Sequence, residues 1–282
     1  MNKIQWSIFG IALLIAAGLY AASENQFFGK PKIVKPKFEI ANSQTEISVD
    51  TILDHEKKHL TPEQVTRLNF LEHSISRGDV KDQQLHIYHQ LAGFWRDTAK
   101  SFQPFAWYTA EAARLENSEK SLTFAARLFL DNLVEQTDPQ MKQWEAFQAK
   151  DLFERSLKLN PNNDSSKVGL GAVYIYGQIA MPMQGISMIK EVVDKDSTNA
   201  YAQWTLAQAS VISGQLDKAA ERLKKVVQLD PKNINAYLLA AGVDEQMGNK
   251  TEAIEWYTKV LPLIGNSELK KDIEAKIADL KK

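Results

Sequence analysis

The chain has 282 residues, 34 basic and 35 acidic side chains for a formal net charge of −1, and a 44% hydrophobic share. That balance supplies a core but no global field to draw nucleic acid or an acidic substrate. Cysteine is absent, which excludes disulfides, thiol catalysis, thiolate metal sites and lipid attachment through cysteine.

Residues 1–23 hold the one membrane-grade segment. Ile4 to Ala22 is apolar apart from Gln5 and Ser7, close to the roughly 20 residues that span a bilayer as a helix. Ala21-Ala22-Ser23 also offers small residues for signal cleavage. The run is longer than a signal core, which favours a retained anchor. The short Lys3 flank places the bulk of the chain outside, on the periplasmic face of an inner membrane. Lys30, Lys32, Lys35 and Lys37 pull the other way under the positive-inside rule. Residues 24–50 read as an extended linker, because Gly29-Lys30-Pro31 and Lys35-Pro36-Lys37 disfavour helix. Its four lysines are either a solvated spacer or a contact with anionic headgroups.

Residues 51–79 form an N-terminal helical segment. Thr61, Pro62 and Gln64 spell a capping box with proline at the first helical position. Val65, Leu68, Leu71 and Ile75 give that helix an apolar stripe, and Gly78 ends it. Just before it lies His55-Glu56-Lys57-Lys58-His59, which matches the zinc-peptidase pattern H-E-x-x-H. Both middle positions are lysines, whose charge opposes a dication, and the Thr61-Pro62 break follows at once. The motif is therefore read as a solvated polar helix, with a zinc metallopeptidase as the alternative of a different class. His73, His86 and His89 show no third ligand.

From residue 80 to 267 the chain is a series of helix pairs. In 80–117, Tyr88, Leu91, Ala92 and Trp95 form a first helix and Ala106, Ala110 and Ala113 a second, with the turn expected at Gln103-Pro104. In 118–161, Leu122, Ala125, Ala126 and Phe129 are followed by Ala149, Phe153 and Ser156, with an extension of about eleven residues around Thr137-Asp138-Pro139-Gln140. The pair at 166–199 has an unusual turn, Ala180-Met181-Pro182-Met183-Gln184-Gly185, and Gly185 stands where its neighbours have alanine. That glycine permits closer helix contact at a cost in propensity. Pairs at 200–233 and 234–267 repeat most clearly. Val192, Val226 and Val260 recur every 34 residues, as do Gly185, Ala219 and Ala253, while Gly214 recurs as Gly248. Residues 268–282 form an amphipathic helix, with Leu269, Ile273, Ile277 and Leu280 facing in, as a solenoid cap requires.

Ala219-x3-Leu223-x2-Val226-x4-Pro231 and Ala253-x3-Tyr257-x2-Val260 resemble the tetratricopeptide repeat over about residues 85–267. The resemblance implies an all-α, right-handed α-solenoid of about five helix pairs with a capping helix, on an N-terminal transmembrane helix. It also implies a scaffold or adaptor that binds a protein or an extended peptide in a concave groove, without catalysis or cofactor. The layout is similar to membrane-anchored tetratricopeptide proteins of bacterial envelopes. A self-associating structural element, and so a homo-oligomer, is a third reading. There is no phosphate-cradling glycine loop, no nucleophile elbow and no pair of carboxylates placed in a shared cleft, and no nucleic-acid partner is expected.

In tetratricopeptide folds the first helix of each pair lines the groove. Position within the repeat assigns Lys167, Leu170, Tyr174 and Gln178, then Tyr201, Trp204, Thr205 and Gln208, then Asn235, Leu238 and Leu239 to that face. The tetratricopeptide domains that clamp a chaperone's C-terminal carboxylate carry Lys, Arg and Asn there. Leu170, Tyr174 and Thr205 stand in their place, so a carboxylate is not the target. The expected site is aromatic and amide-rich: Tyr174, Gln178, Tyr201, Trp204, Thr205, Gln208, Asn235 and Leu239, centred on Trp204. The alternative for Trp204 is packing against the neighbouring repeat.

Overall fold

A computed structural model describes residues 47–75 and 80–282. The expected span at 1–23, the linker as far as residue 46 with its four lysines, and the stop at Gly78 lie outside the described residues. Among the described residues there are thirteen α-helices and no strands, and no helix is long and apolar enough to cross a membrane. The chain divides into two units, one holding the described residues up to Met188 and the other Ile189–Lys282.

The N-terminal unit begins with α1 (Val49–Lys57), α2 (Pro62–Ile75) and α3 (Lys81–Gly93). The capping box of α2 forms reciprocally: the Thr61 amide donates to Gln64 Oε1 at 2.9 Å and the Gln64 amide to Thr61 Oγ1 at 3.3 Å. A π-helical turn, Phe94–Ala99, extends α3 and stops at Lys100, which is left-handed with φ 59°. The turn therefore falls at Lys100-Ser101, not at Gln103-Pro104. Pro104 sits in the first turn of α4 (Phe102–Glu116), where a residue without an N–H leaves no helical bond unmade.

Next come α5 (Glu119–Leu133), α6 (Pro139–Leu159), α7 (Asp164–Tyr176) and α8 (Pro182–Lys195), the last of which carries the unit boundary. The extension predicted around Thr137-Asp138-Pro139-Gln140 is mostly helix. Asp138 caps α6 by accepting from the Met141 amide at 2.8 Å, and α6 runs for 21 residues. One apolar cluster joins Leu53, Leu68, Leu71, Leu91, Phe94, Trp95 and Tyr108. A second joins α4 to α7 through Ala106, Ala110, Phe129, Leu133, Phe153 and Val173, among others. Three hydroxyls meet where α5, α6 and α7 converge: Thr123 lies 2.9 Å from Ser156 and 2.8 Å from Ser166, and those two serines are 2.9 Å apart. Each has a partner, so hydrogen bonds offset the desolvation of the two buried serines.

The C-terminal unit contains α9 (Ala200–Ile212), α10 (Leu216–Leu229), α11 (Ile234–Gln246), α12 (Lys250–Val260), a 3₁₀ turn at Leu261–Leu263 and α13 (Ser267–Leu280). Its repeat holds at the level of single hydrogen bonds. Asn199 accepts from the Ala202 amide and Asn233 from the Ala236 amide, each at 3.0 Å. After each first helix the chain reverses through a glycine with positive φ, Gly214 at 70° and Gly248 at 82°. The amides that follow, Gln215 and Asn249, both reach back at 2.8 Å to the carbonyls of Ser210 and Asp244. Ala207, Ala219, Leu223, Ala240 and Val243 form one buried cluster, and Val226, Tyr237, Val260, Ile264 and Ile273 belong to another.

Candidate functional site

The helices α9 and α11 contain no lysine or arginine, and α9 contains no charged residue at all. A helix apolar around most of its circumference is packed on several sides, and what it shows to solvent is correspondingly neutral. Along α9, Tyr201 and Gln208 are half-buried and Ile212 is exposed, 69% of its surface being open. Trp204 is half-buried and packs against both apolar clusters of its unit. Thr205 faces inward at 2% exposure, and its hydroxyl donates to the Tyr201 carbonyl at 2.8 Å. Across from α9, Leu238 and Leu239 of α11 are half-buried against the same clusters that hold Trp204, and Asn235 is exposed.

Tyr201, Trp204, Gln208, Asn235 and Leu239 each keep some exposed surface on α9 and α11, two helices without a lysine or arginine. Thr205 is too deep to join them. Ile212, one turn beyond Gln208 on the same stripe, was not among the expected residues, because its place at the turn hides it from a pattern search. The acidic end of α11 is held by partners within the unit. Buried Asp244 accepts from Trp256 Nε1 at 2.8 Å and from Asn249 Nδ2 at 3.1 Å. Glu245 accepts from the Tyr257 hydroxyl at 2.6 Å and pairs with Lys276 at 2.8 Å. Burial first, and then the bond to Glu245, push the Tyr257 hydroxyl up, so it stays protonated.

Tyr174 and Gln178 belong to the N-terminal unit, and neither sits as expected. The cap of α7 is Asn163, which precedes Asn199 by 36 residues, while Asn199 precedes Asn233 by 34. Helix α7 is therefore shifted by two residues, and the connection to α8 is longer by the same amount. In the corrected register Leu170 corresponds to Leu206 and Tyr174 to Ser210, both core positions. Leu170 is 4% and Tyr174 7% exposed. Burial raises the Tyr174 hydroxyl, and the charge of Glu154 adds to it. Gln178 lies past the end of the helix, with φ 55°, in the turn rather than on a helix face.

The zinc-peptidase pattern straddles the end of a helix. Helix α1 ends at Lys57, so His59 lies beyond it. The rings of His55 and His59 meet edge to face with centroids 5.3 Å apart. Glu56 accepts from Ser101 Oγ at 2.8 Å and lies 3.2 Å from His55 Nδ1. Among the described residues, no three histidine or acidic side chains converge as metal ligands.

Residues 210–277, from the end of α9 into α13, match the tetratricopeptide repeat family. No curated protein matches the chain. Among solved structures, a tetratricopeptide repeat protein from Parabacteroides merdae ATCC 43184 is 15% identical, with 81% of this chain and 84% of that chain covered and a TM-score of 0.52. MamA from Desulfovibrio magneticus RS-1 is 26% identical over 66% of this chain and 96% of its own, with a TM-score of 0.45. YrrB, described as a TPR protein with an unusual peptide-binding site, is 16% identical over 73% of this chain and 97% of its own, with a TM-score of 0.41. The repeat over 210–277 is of the tetratricopeptide type, and the Parabacteroides likeness extends that fold over most of the chain.

Proposed function

We propose that the chain is a membrane-tethered tetratricopeptide scaffold whose C-terminal unit holds an extended segment of a partner protein along α9 and α11. The observation that carries this reading is that Tyr201, Trp204, Gln208, Asn235 and Leu239 stay partly exposed on two helices without a cation, with exposed Ile212 at the end of α9. Aromatic rings offer large contact area with few rotatable bonds, and side-chain amides pair with an extended backbone. With no cation on either helix, neither helix itself offers a partner to a phosphate backbone or a terminal carboxylate. The ligand is therefore an internal, partly apolar segment. A partner recovered from crosslinked membranes should bind the full chain equally well with its C-terminus free or amidated. Loss of binding on amidation would overturn this reading.

The tether is residues 1–23, and the repeats lie on the periplasmic side. This part rests on the apolar run Ile4 to Ala22 and the short Lys3 flank. Alkaline phosphatase fused after Lys282 should be active. An inactive fusion, with a fluorescent cytoplasmic reporter at the same point, would reverse the orientation. A mature protein lacking residues 1–23 would turn the anchor into a cleaved signal.

A further inference from the structure

Glu145 is the largest charged side chain sealed inside the N-terminal unit, with no exposed surface. Its two carboxyl oxygens are treated very differently. Oε1 faces three amide donors: Asn132 Nδ2 at 2.8 Å, Gln136 Nε2 at 3.3 Å and Gln103 Nε2 at 3.5 Å. Oε2 is buried with no protein partner among the described residues. Protonation on Oε2 leaves one neutral hydroxyl without a protein partner, a smaller penalty than leaving part of a negative charge unpaired in the interior.

The donors come from three different places: α4, α5 and the turn between α5 and α6. Glu145 itself lies in the second turn of α6, within the extra helix that makes this pair longer than the others. We propose that Glu145 is a proton-operated latch: the neutral acid stays inside with the first turns of α6 closed on α4 and α5, and ionisation, which the three amides favour but do not offset against burial, draws those turns open to water.

The surroundings favour a titration in the working range. Among the described residues, only amides face the carboxyl from α4, α5 and the turn, and no charge reaches it from α7. The one cation acting on it among them is Lys142 on α6, which burial itself pushes towards the neutral form. Burial raises the Glu145 carboxyl to about 7, against the three amides and Lys142, which lower it. Amide exchange at residues 139–146 of the full chain, corrected for intrinsic rates, tests the latch. Between pH 6 and pH 8 protection should fall by about tenfold or more in the wild type and stay constant in Glu145→Gln, which keeps the neutral shape. Should that variant fail to fold, Asn132→Ala removes the shortest bond to the carboxyl and should move the wild-type midpoint upward. Equal protection at pH 6 and pH 8 in the wild type, or an unmoved midpoint in Asn132→Ala, would overturn the proposal.

Discussion

Gly185 of α8 rests directly on Gly171 of α7: a Cβ built on Gly185 would run into the carbonyl oxygen of Gly171. The obstacle is backbone, so it cannot swing aside as a side chain would. At the equivalent places Ala219 and Ala253 are fully buried yet accommodated, so the closer approach belongs to the α7–α8 pair alone.

Gly185→Ala should therefore cost about 1–3 kcal/mol through overpacking, despite its better helix propensity. Gly242→Ala is the control, since Gly242 lies inside α11 and a Cβ there meets nothing within 4 Å. That change should be neutral or stabilising by up to about 1 kcal/mol. Urea unfolding of both variants distinguishes the two effects; equal behaviour would mean the helices separate freely.

The same helix pair shows where the sequence stops being readable. Pairs α9–α10 and α11–α12 were legible because asparagine caps, glycine reversals and core alanines all recur at one spacing. In α7 the cap and the core positions moved together by two residues, while α8 kept the 34-residue register. The 34-residue period of α8 therefore does not extend to α7, and applied there it assigns the buried Tyr174 to the groove. Glu145 was illegible for another reason. A lone glutamate in a helix reads as solvated surface, and its burial depends on Gln103 and Asn132 from distant helices. Pro104 misled because proline in a first helical turn looks the same in sequence as proline in a loop.

Glu145 also makes stability depend on pH. Its carboxyl is raised from an ordinary 4.5 to about 7, so the folded state binds the extra proton. The stabilisation is complete below about 4.5 and is lost as pH rises through about 7, amounting to roughly 3 kcal/mol from the shift. The difference in Tm between Glu145→Gln and the wild type should favour the variant increasingly from pH 5 to pH 8. A pH-independent difference would mean that the carboxyl does not titrate in this range.

Trp204 serves two ends. Because it packs against two apolar clusters yet is not fully buried, Trp204→Ala should lower stability by about 2 kcal/mol, less than for a fully buried tryptophan. Trp204→Phe should keep most of that packing and still weaken partner capture by about 1 kcal/mol or more. Unchanged capture in Trp204→Phe would assign the ring to packing alone.

The His55-Glu56-x-x-His59 pattern is expected to hold no zinc, since His59 falls beyond the end of α1 and Glu56 is tied to Ser101. Metal analysis of the purified full chain should give well below one equivalent, unchanged in His55→Ala. Stoichiometric zinc lost in that variant would restore the peptidase reading.

The binding surface itself is tested most directly by placing a photocrosslinking residue, one site at a time, at Gln208, Asn235 and Lys224 in the full chain in cells. Gln208 and Asn235 lie on the proposed surface, and Lys224 is exposed on α10. Adducts to one partner from Gln208 and Asn235, with none from Lys224, are the predicted result. Adducts from Lys224 with none from the other two would contradict it.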